Sequence, residues 1–170
     1  MHSLYQLAVL SLLVLMVTAC GFKLRGQANL PPAMAVTYIK TNRPELSQPS
    51  ALAATLSQAL DANGVKVTQD REKATAILDI LSEQIQRRTV AATRKDQTRQ
   101  YILAYNVAYQ VTLADGTKLL PRQQIGAYRN LIYQESQVLG TAEADNIALQ
   151  EMQSDLSSSI IRRLQLVSGN

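Results

Sequence analysis

The stretch Tyr101-Ile102-Leu103-Ala104-Tyr105-Asn106-Val107-Ala108-Tyr109-Gln110-Val111-Thr112-Leu113 decides the fold. Tyr101, Leu103, Tyr105, Val107, Tyr109, Val111 and Leu113 take every second position, while Gln100, Ala104, Asn106, Gln110 and Thr112 fill places between them. Strand side chains point alternately to two faces, so period two sustained this long predicts one long strand with an apolar face. Residues 75–88 alternate more weakly and predict an antiparallel partner, with the hairpin tip in residues 89–98. Asp115-Gly116 is a tight-turn signal, and residues 123–134 return as a third strand, completing a meander.

A long helix over residues 141–166 follows, with Ala148, Met152, Leu156, Ile160 and Leu164 at four-residue steps forming an apolar stripe. Arg162 and Arg163 near its end suit the negative pole of the helix dipole. Upstream, residues 35–39 read as a short strand. A helix over residues 49–62 carries Leu52, Leu56 and Leu60, with Ser47 or Gln48 near its cap, Pro49 in its first turn and Asn63-Gly64 as its stop. Residues 65–68 form another short strand, and strand, helix, strand in that order suggests a right-handed parallel crossover. The expected fold class is α+β: two helices packed on one face of a mixed sheet of four to five strands with a long antiparallel meander. Tyr101, Tyr105 and Tyr109 are expected under a helix.

Residues 1–19 contain no Lys, Arg, Asp or Glu, and residues 7–17 are almost unbroken Leu, Val, Ala and Met. A spanning helix needs roughly 20 apolar residues, so this shorter run reads as a secretory signal peptide. Val17-Thr18-Ala19-Cys20 resembles a lipobox, in which small residues fit a signal peptidase and the cysteine thiol takes a diacylglycerol. Several acyl chains on Cys20 give stable anchoring, since each buried methylene contributes about 0.8 kcal/mol. Gly21 in place of Asp implies, by likeness to such lipoproteins, sorting to the outer membrane. Residues 20–34, with Gly21, Gly26, Pro31 and Pro32, read as a lipidated tether, and residues 35–170 as a single α+β domain.

This organisation excludes much chemistry. Cys20 is the only cysteine and His2 the only histidine, so the exported part has neither a free thiol nor an imidazole. Ser–His and Cys–His catalysis and the usual zinc, copper and iron–sulfur ligand sets are therefore absent. Asp79 and Glu83 would share a strand face roughly 13 Å apart, too far for the 5 to 9.5 Å of a paired-carboxylate mechanism. The seven glycines are dispersed, leaving no phosphate-cradling loop. No enzymatic activity and no cofactor are expected.

Charge supplies the positive signal. The chain carries +4 at pH 7, with a pI near 9.3, which favours an anionic partner; for an exported protein that is an anionic lipid or acidic protein surface, not nucleic acid. Within residues 84–100, Arg87, Arg88, Arg94, Lys95 and Arg99 face a single acid, Asp96, a local excess of +4. Guanidinium forks at one hairpin end grip phosphate or carboxylate through paired hydrogen bonds. Alternatively, the cluster is a solvated strand end whose charge prevents edge pairing.

Cys20-Gly21-Phe22-Lys23-Leu24-Arg25-Gly26, then Leu30-Pro31-Pro32 and Met34, resemble the mature start of the LptE family of lipopolysaccharide-assembly lipoproteins. The resemblance continues through residues 52–65, the hairpin with Arg94, Gln97, Thr98 and Tyr101, and the closing helix with Glu151-Met152 and residues 160–164. It implies two helices on a mixed sheet, and a lipid-anchored subunit of the outer-membrane lipopolysaccharide translocon. That subunit faces the periplasm and plugs the lumen of the LptD barrel, assists its assembly and binds lipopolysaccharide. Arg94 best matches the family's lipopolysaccharide-contacting position, with Lys95, Arg87, Arg88 and Arg99 around it. Where some members carry a basic residue at the start of the last helix, this chain has Thr141. The rival reading is a free periplasmic lipid- or cell-wall-binding lipoprotein, with Ala104, Ala108 and Gly126 making room for an apolar cavity.

Overall fold

A computed structural model of the 170-residue chain describes residues 29–42, 50–92, 98–134 and 138–168. In chain order the elements are β1 (Val36–Thr41), α1 (Ala51–Ala62), β2 (Lys66–Thr68), β3 (Ala76–Ala92), β4 (Thr98–Leu113), β5 (Lys118–Gln134) and α2 (Val138–Ser168). Short 3-10 turns occupy Pro32–Met34 and Arg71–Lys73. The five strands form one sheet in the order β2-β1-β3-β4-β5. β1 runs parallel to both β2 and β3, whereas β3, β4 and β5 are antiparallel. The mixed α+β architecture expected from periodicity is the one observed.

Local chemistry sets the element ends. Ser50 caps α1, its hydroxyl accepting the Ala53 N–H at 3.1 Å, so the cap falls later than Ser47 or Gln48, which with Pro49 lie outside the described residues. At the other end Gly64 takes φ +81°, and the amides of Gly64 and Val65 donate to the carbonyls of Asp61 and Leu60. That pair of bonds is the Schellman arrangement, which a residue lacking Cβ adopts without strain. Between β4 and β5, Gly116 has φ +89° and the Asp115 carboxylate accepts the Thr117 N–H at 2.8 Å. Those hydrogen bonds hold the Asp115 carboxyl below its ordinary pKa.

The core lies between the helices and one sheet face. Leu52, Leu56 and Leu60 of α1 and Met152, Leu156, Ile160 and Leu164 of α2 are buried against Leu78, Ile80, Leu103, Tyr105, Val107, Tyr109 and Val111. Met34 is fully buried and Leu30 packs beside it, so the segment ahead of β1 also contributes to this core. Tyr105 and Tyr109 sit beneath the helices as expected, while Tyr101 is only partly buried.

Strand β3 departs from simple alternation. Its register with β4 shifts between Ile80 and Ser82, and again between Thr89 and Ala91. Each bulge adds one residue and reverses the phase of the side chains beyond it. Ile80 faces the helices opposite Tyr109, and beyond Leu81 it is Glu83, opposite Val107, that faces them. Asp79 and Glu83 therefore lie on opposite faces, not on a shared one. β5 begins at Lys118, five residues earlier than its alternation predicts. It includes Pro121, which an edge strand tolerates and which sits where the β4–β5 register slips.

Candidate functional site

Of the basic cluster, Arg87, Arg88 and Arg99 lie in the half of the meander farthest from β1, which pairs with β3 only as far as Ile80. Cross-strand pairing of Arg87 with Leu103 and of Arg88 with Ile102 sends these consecutive arginines to opposite faces. Arg87 lies on the helix side, its guanidinium carbon 5.6 Å from the Tyr101 ring centroid and in an ion pair with Asp145 of α2. It ties the hairpin to the helix through stacking and charge. Arg88 lies exposed on the outer face and forms no ion pair among the described residues. Arg99 is in β4, its Cα opposite Ala92 and Tyr133. Arg94 and Lys95 lie outside the described residues, as does Cys20 with the residues expected to form a lipobox.

A second arginine connection escaped the sequence reading. Arg129 of β5 meets Glu151 at 3.3 Å and Asp155 at 2.6 Å, two carboxylates one helical turn apart on α2. Its pKa is raised by the hydrogen bond to Asp155, then by that to Glu151. The i, i+4 spacing of the two acids was the only cue; their partner twenty-odd residues away emerged once β5 had been placed beside the helix. Arg163 likewise donates to the Gln123 amide oxygen, fixing the C-terminal half of α2 to the start of β5.

Beneath α2 two polar atoms are buried without a hydrogen-bond partner among the described residues, the hydroxyls of Tyr109 and Ser157. Burial pushes the Tyr109 phenol above its ordinary pKa, against a smaller opposing effect of the Arg163 charge. Among the described residues no three His, Cys, Asp or Glu side chains gather as metal ligands. Nor, among them, is any helix long and apolar enough to cross a membrane.

The small residues Ala104, Ala108 and Gly126, which a carrier would need under the helices, pair with Gln86, Ser82 and Asn106 on the outer face instead. The geometry is that of a packed α+β body carrying a long ribbon with arginines on both faces.

The LptE family model, described as lipopolysaccharide-assembly, matches residues 33–164, and the chain belongs to that family. The LPS-assembly lipoprotein LptE of Photorhabdus laumondii is 25% identical over 159 residues, covering 94% of this chain and 84% of its own length. That of Pectobacterium atrosepticum is 25% identical over 170 residues, covering 99% and 89%. Among solved structures, the solution structure of lipoprotein B from Nitrosomonas europaea superposes with a TM-score of 0.70 at 25% identity, covering 88% of this chain and 93% of that one. A minor lipoprotein from Acinetobacter baumannii shares the fold, with a TM-score of 0.63 at 19% identity over 78% and 92% of the two chains.

Proposed function

We propose that this chain is the lipoprotein subunit of an outer-membrane lipopolysaccharide translocon, anchored through lipid on Cys20. In this reading it plugs the LptD barrel, assists its assembly and binds lipopolysaccharide during insertion at the cell surface. The observation that carries the proposal is the family match across residues 33–164, which spans the whole sheet, α1 and all but the last four residues of α2.

Charge supports the lipopolysaccharide part. Phosphates are gripped by guanidinium forks, and the stretch of residues 84–100 carries Arg88, Arg94, Lys95 and Arg99 against one acid, Asp96. Arg87, already engaged with Asp145 and Tyr101, serves to orient that end. A polar outer face suits the polar interior of a large barrel.

The test is affinity purification of the tagged full-length protein from detergent-solubilised outer membranes, with mass spectrometry of what accompanies it. Recovery of the barrel in equal amount is the expected result. Recovery of the lipoprotein alone, under solubilisation that preserves other outer-membrane complexes, would overturn the proposal.

A further inference from the structure

The sheet face turned away from the helices has a construction of its own. Cross-strand pairing arranges it in rows: Ser82, Ala108 and Gln124; then Gln84, Asn106 and Gly126; then Gln86, Ala104 and Tyr128. The middle strand contributes short side chains and the flanking strands mostly longer ones, so a trough of about 460 Å³ runs over the first two rows. Its floor at Ala108 is 2% exposed, and Arg122 reaches into it from one end. Gly126 sets its shape, because a Cβ there would lie 2.6 Å from the Asn106 side-chain oxygen. Without that carbon the Asn106 amide can lie across toward β5.

We propose that this trough binds an acidic oligosaccharide. Sugar hydroxyls both donate and accept hydrogen bonds, and the Gln84, Asn106 and Gln124 amides with the Ser82 hydroxyl offer both capacities side by side. Tyr128, 72% exposed in the next row, presents a ring onto which the C–H face of a pyranose packs. Arg122 lines the trough at one end, and Arg88 lies on the same face two rows beyond its other end, roughly 13 Å from the Gln84 row.

Charge selects the kind of sugar. From Ser82 to Arg88 and across β4 and β5 this face carries no Asp or Glu among the described residues, and neither arginine has an ion-pair partner there. The nearest acid on the same face, Asp79, is held by Lys40 at 3.3 Å. One uncompensated guanidinium group at the trough and a second beyond the Tyr128 row call for carboxylate or phosphate substituents on a saccharide long enough to reach both.

The trough deepens the lipopolysaccharide reading by adding a saccharide subsite, yet a chain that fails to recover the barrel would still bind sugar here, so the two fail separately. The experiment is isothermal titration of the full-length chain, in a detergent without sugar headgroups, with hexagalacturonate, maltohexaose and inorganic phosphate as probes. Hexagalacturonate is expected to bind, with maltohexaose and phosphate at least tenfold weaker. Tyr128→Ala and the exposed pair Gln84→Ala/Gln124→Ala each lower the hexagalacturonate affinity tenfold or more. Arg71→Ala, on the turn before β3, leaves it unchanged. Circular dichroism checks the fold of each variant. Absence of binding, trough variants that bind like the parent, or an equal loss from Arg71→Ala would overturn the proposal.

Discussion

Tyr105 and Tyr109 lie two pleat repeats apart on the same buried face of β4, and the same substitution should act on them with opposite sign. The Tyr109 ring is fully buried and its hydroxyl has no partner among the described residues, whereas the Tyr105 hydroxyl donates to Glu83 at 2.6 Å. Burying an unpaired hydroxyl costs about 1 to 3 kcal/mol, and Phe keeps the ring while removing that cost. Tyr109→Phe should therefore stabilise the fold by about 1 kcal/mol, raising Tm by roughly 2 to 4 °C for a chain of this size.

Tyr105→Phe breaks a charge-assisted bond and should cost about 1.5 to 2 kcal/mol. A pH dependence distinguishes this account from mere repacking. Burial raises the folded pKa of Tyr109 above its ordinary 10.0, so the unfolded chain ionises first and the parent loses stability as pH climbs beyond that value. The advantage of Tyr109→Phe should consequently widen between pH 9 and pH 11. Urea melts of the three proteins at both pH values are the assay. A Tyr109→Phe variant destabilised by more than about 1 kcal/mol, or an advantage that narrows at high pH, would refute the reasoning and point to a hydrogen bond through buried water.

Arg129→Met removes both contacts between β5 and the acids of α2, and should cost about 1 kcal/mol at low ionic strength, less in 0.5 M salt, as read by thermal melts. A double-mutant cycle on Arg87→Ala and Asp145→Ala should give a coupling of about 0.5 to 1 kcal/mol, establishing Arg87 as a tie between ribbon and helix; a value near zero would leave it available for ligand. Gly116→Ala should destabilise by about 1 to 2 kcal/mol through backbone strain alone, since φ is +89° and a Cβ there meets nothing within 4 Å. Ser157→Ala should stabilise by about 1 kcal/mol in the same melts, because it relieves an unpaired hydroxyl and improves helix propensity.

Those residues also mark what the chain discloses before folding. β4 was legible because it lies inside the sheet, packed on one face and bulge-free against β3 over residues 101–107, so its pattern keeps one phase there. β3 alternated weakly for a physical reason: the bulge at Leu81 moves the inward set from even to odd positions, blurring any single count. That same slip undid the shared face assigned to Asp79 and Glu83. The start of β5 was missed because proline argues against a strand in general, while the edge position that excuses Pro121 is a property of the whole sheet.

The candidate site divides in the same way. A basic excess in residues 84–100 is visible in composition, but the separation of Arg87 from Arg88, and the partner Asp145 far along the chain, depend on register and packing. The trough could not be foreseen at all, since Ser82, Asn106, Gln124 and Gly126 become neighbours only when three strands are laid in order.

Since β1 stops opposite Ile80, the sheet beyond that point is a three-stranded ribbon backed by α2 alone, with Ile85 and Val90 half-exposed along it. Fewer buried contacts mean a lower free energy of local opening, so amide protection should fall progressively from the core half of the hairpin toward its far end. A ligand captured there meets a segment that opens on its own, and only the closed fraction is competent to bind. Substitutions that stiffen the ribbon would then tighten binding without touching the ligand, and the distance between Arg88 and the packed core becomes a means of setting affinity.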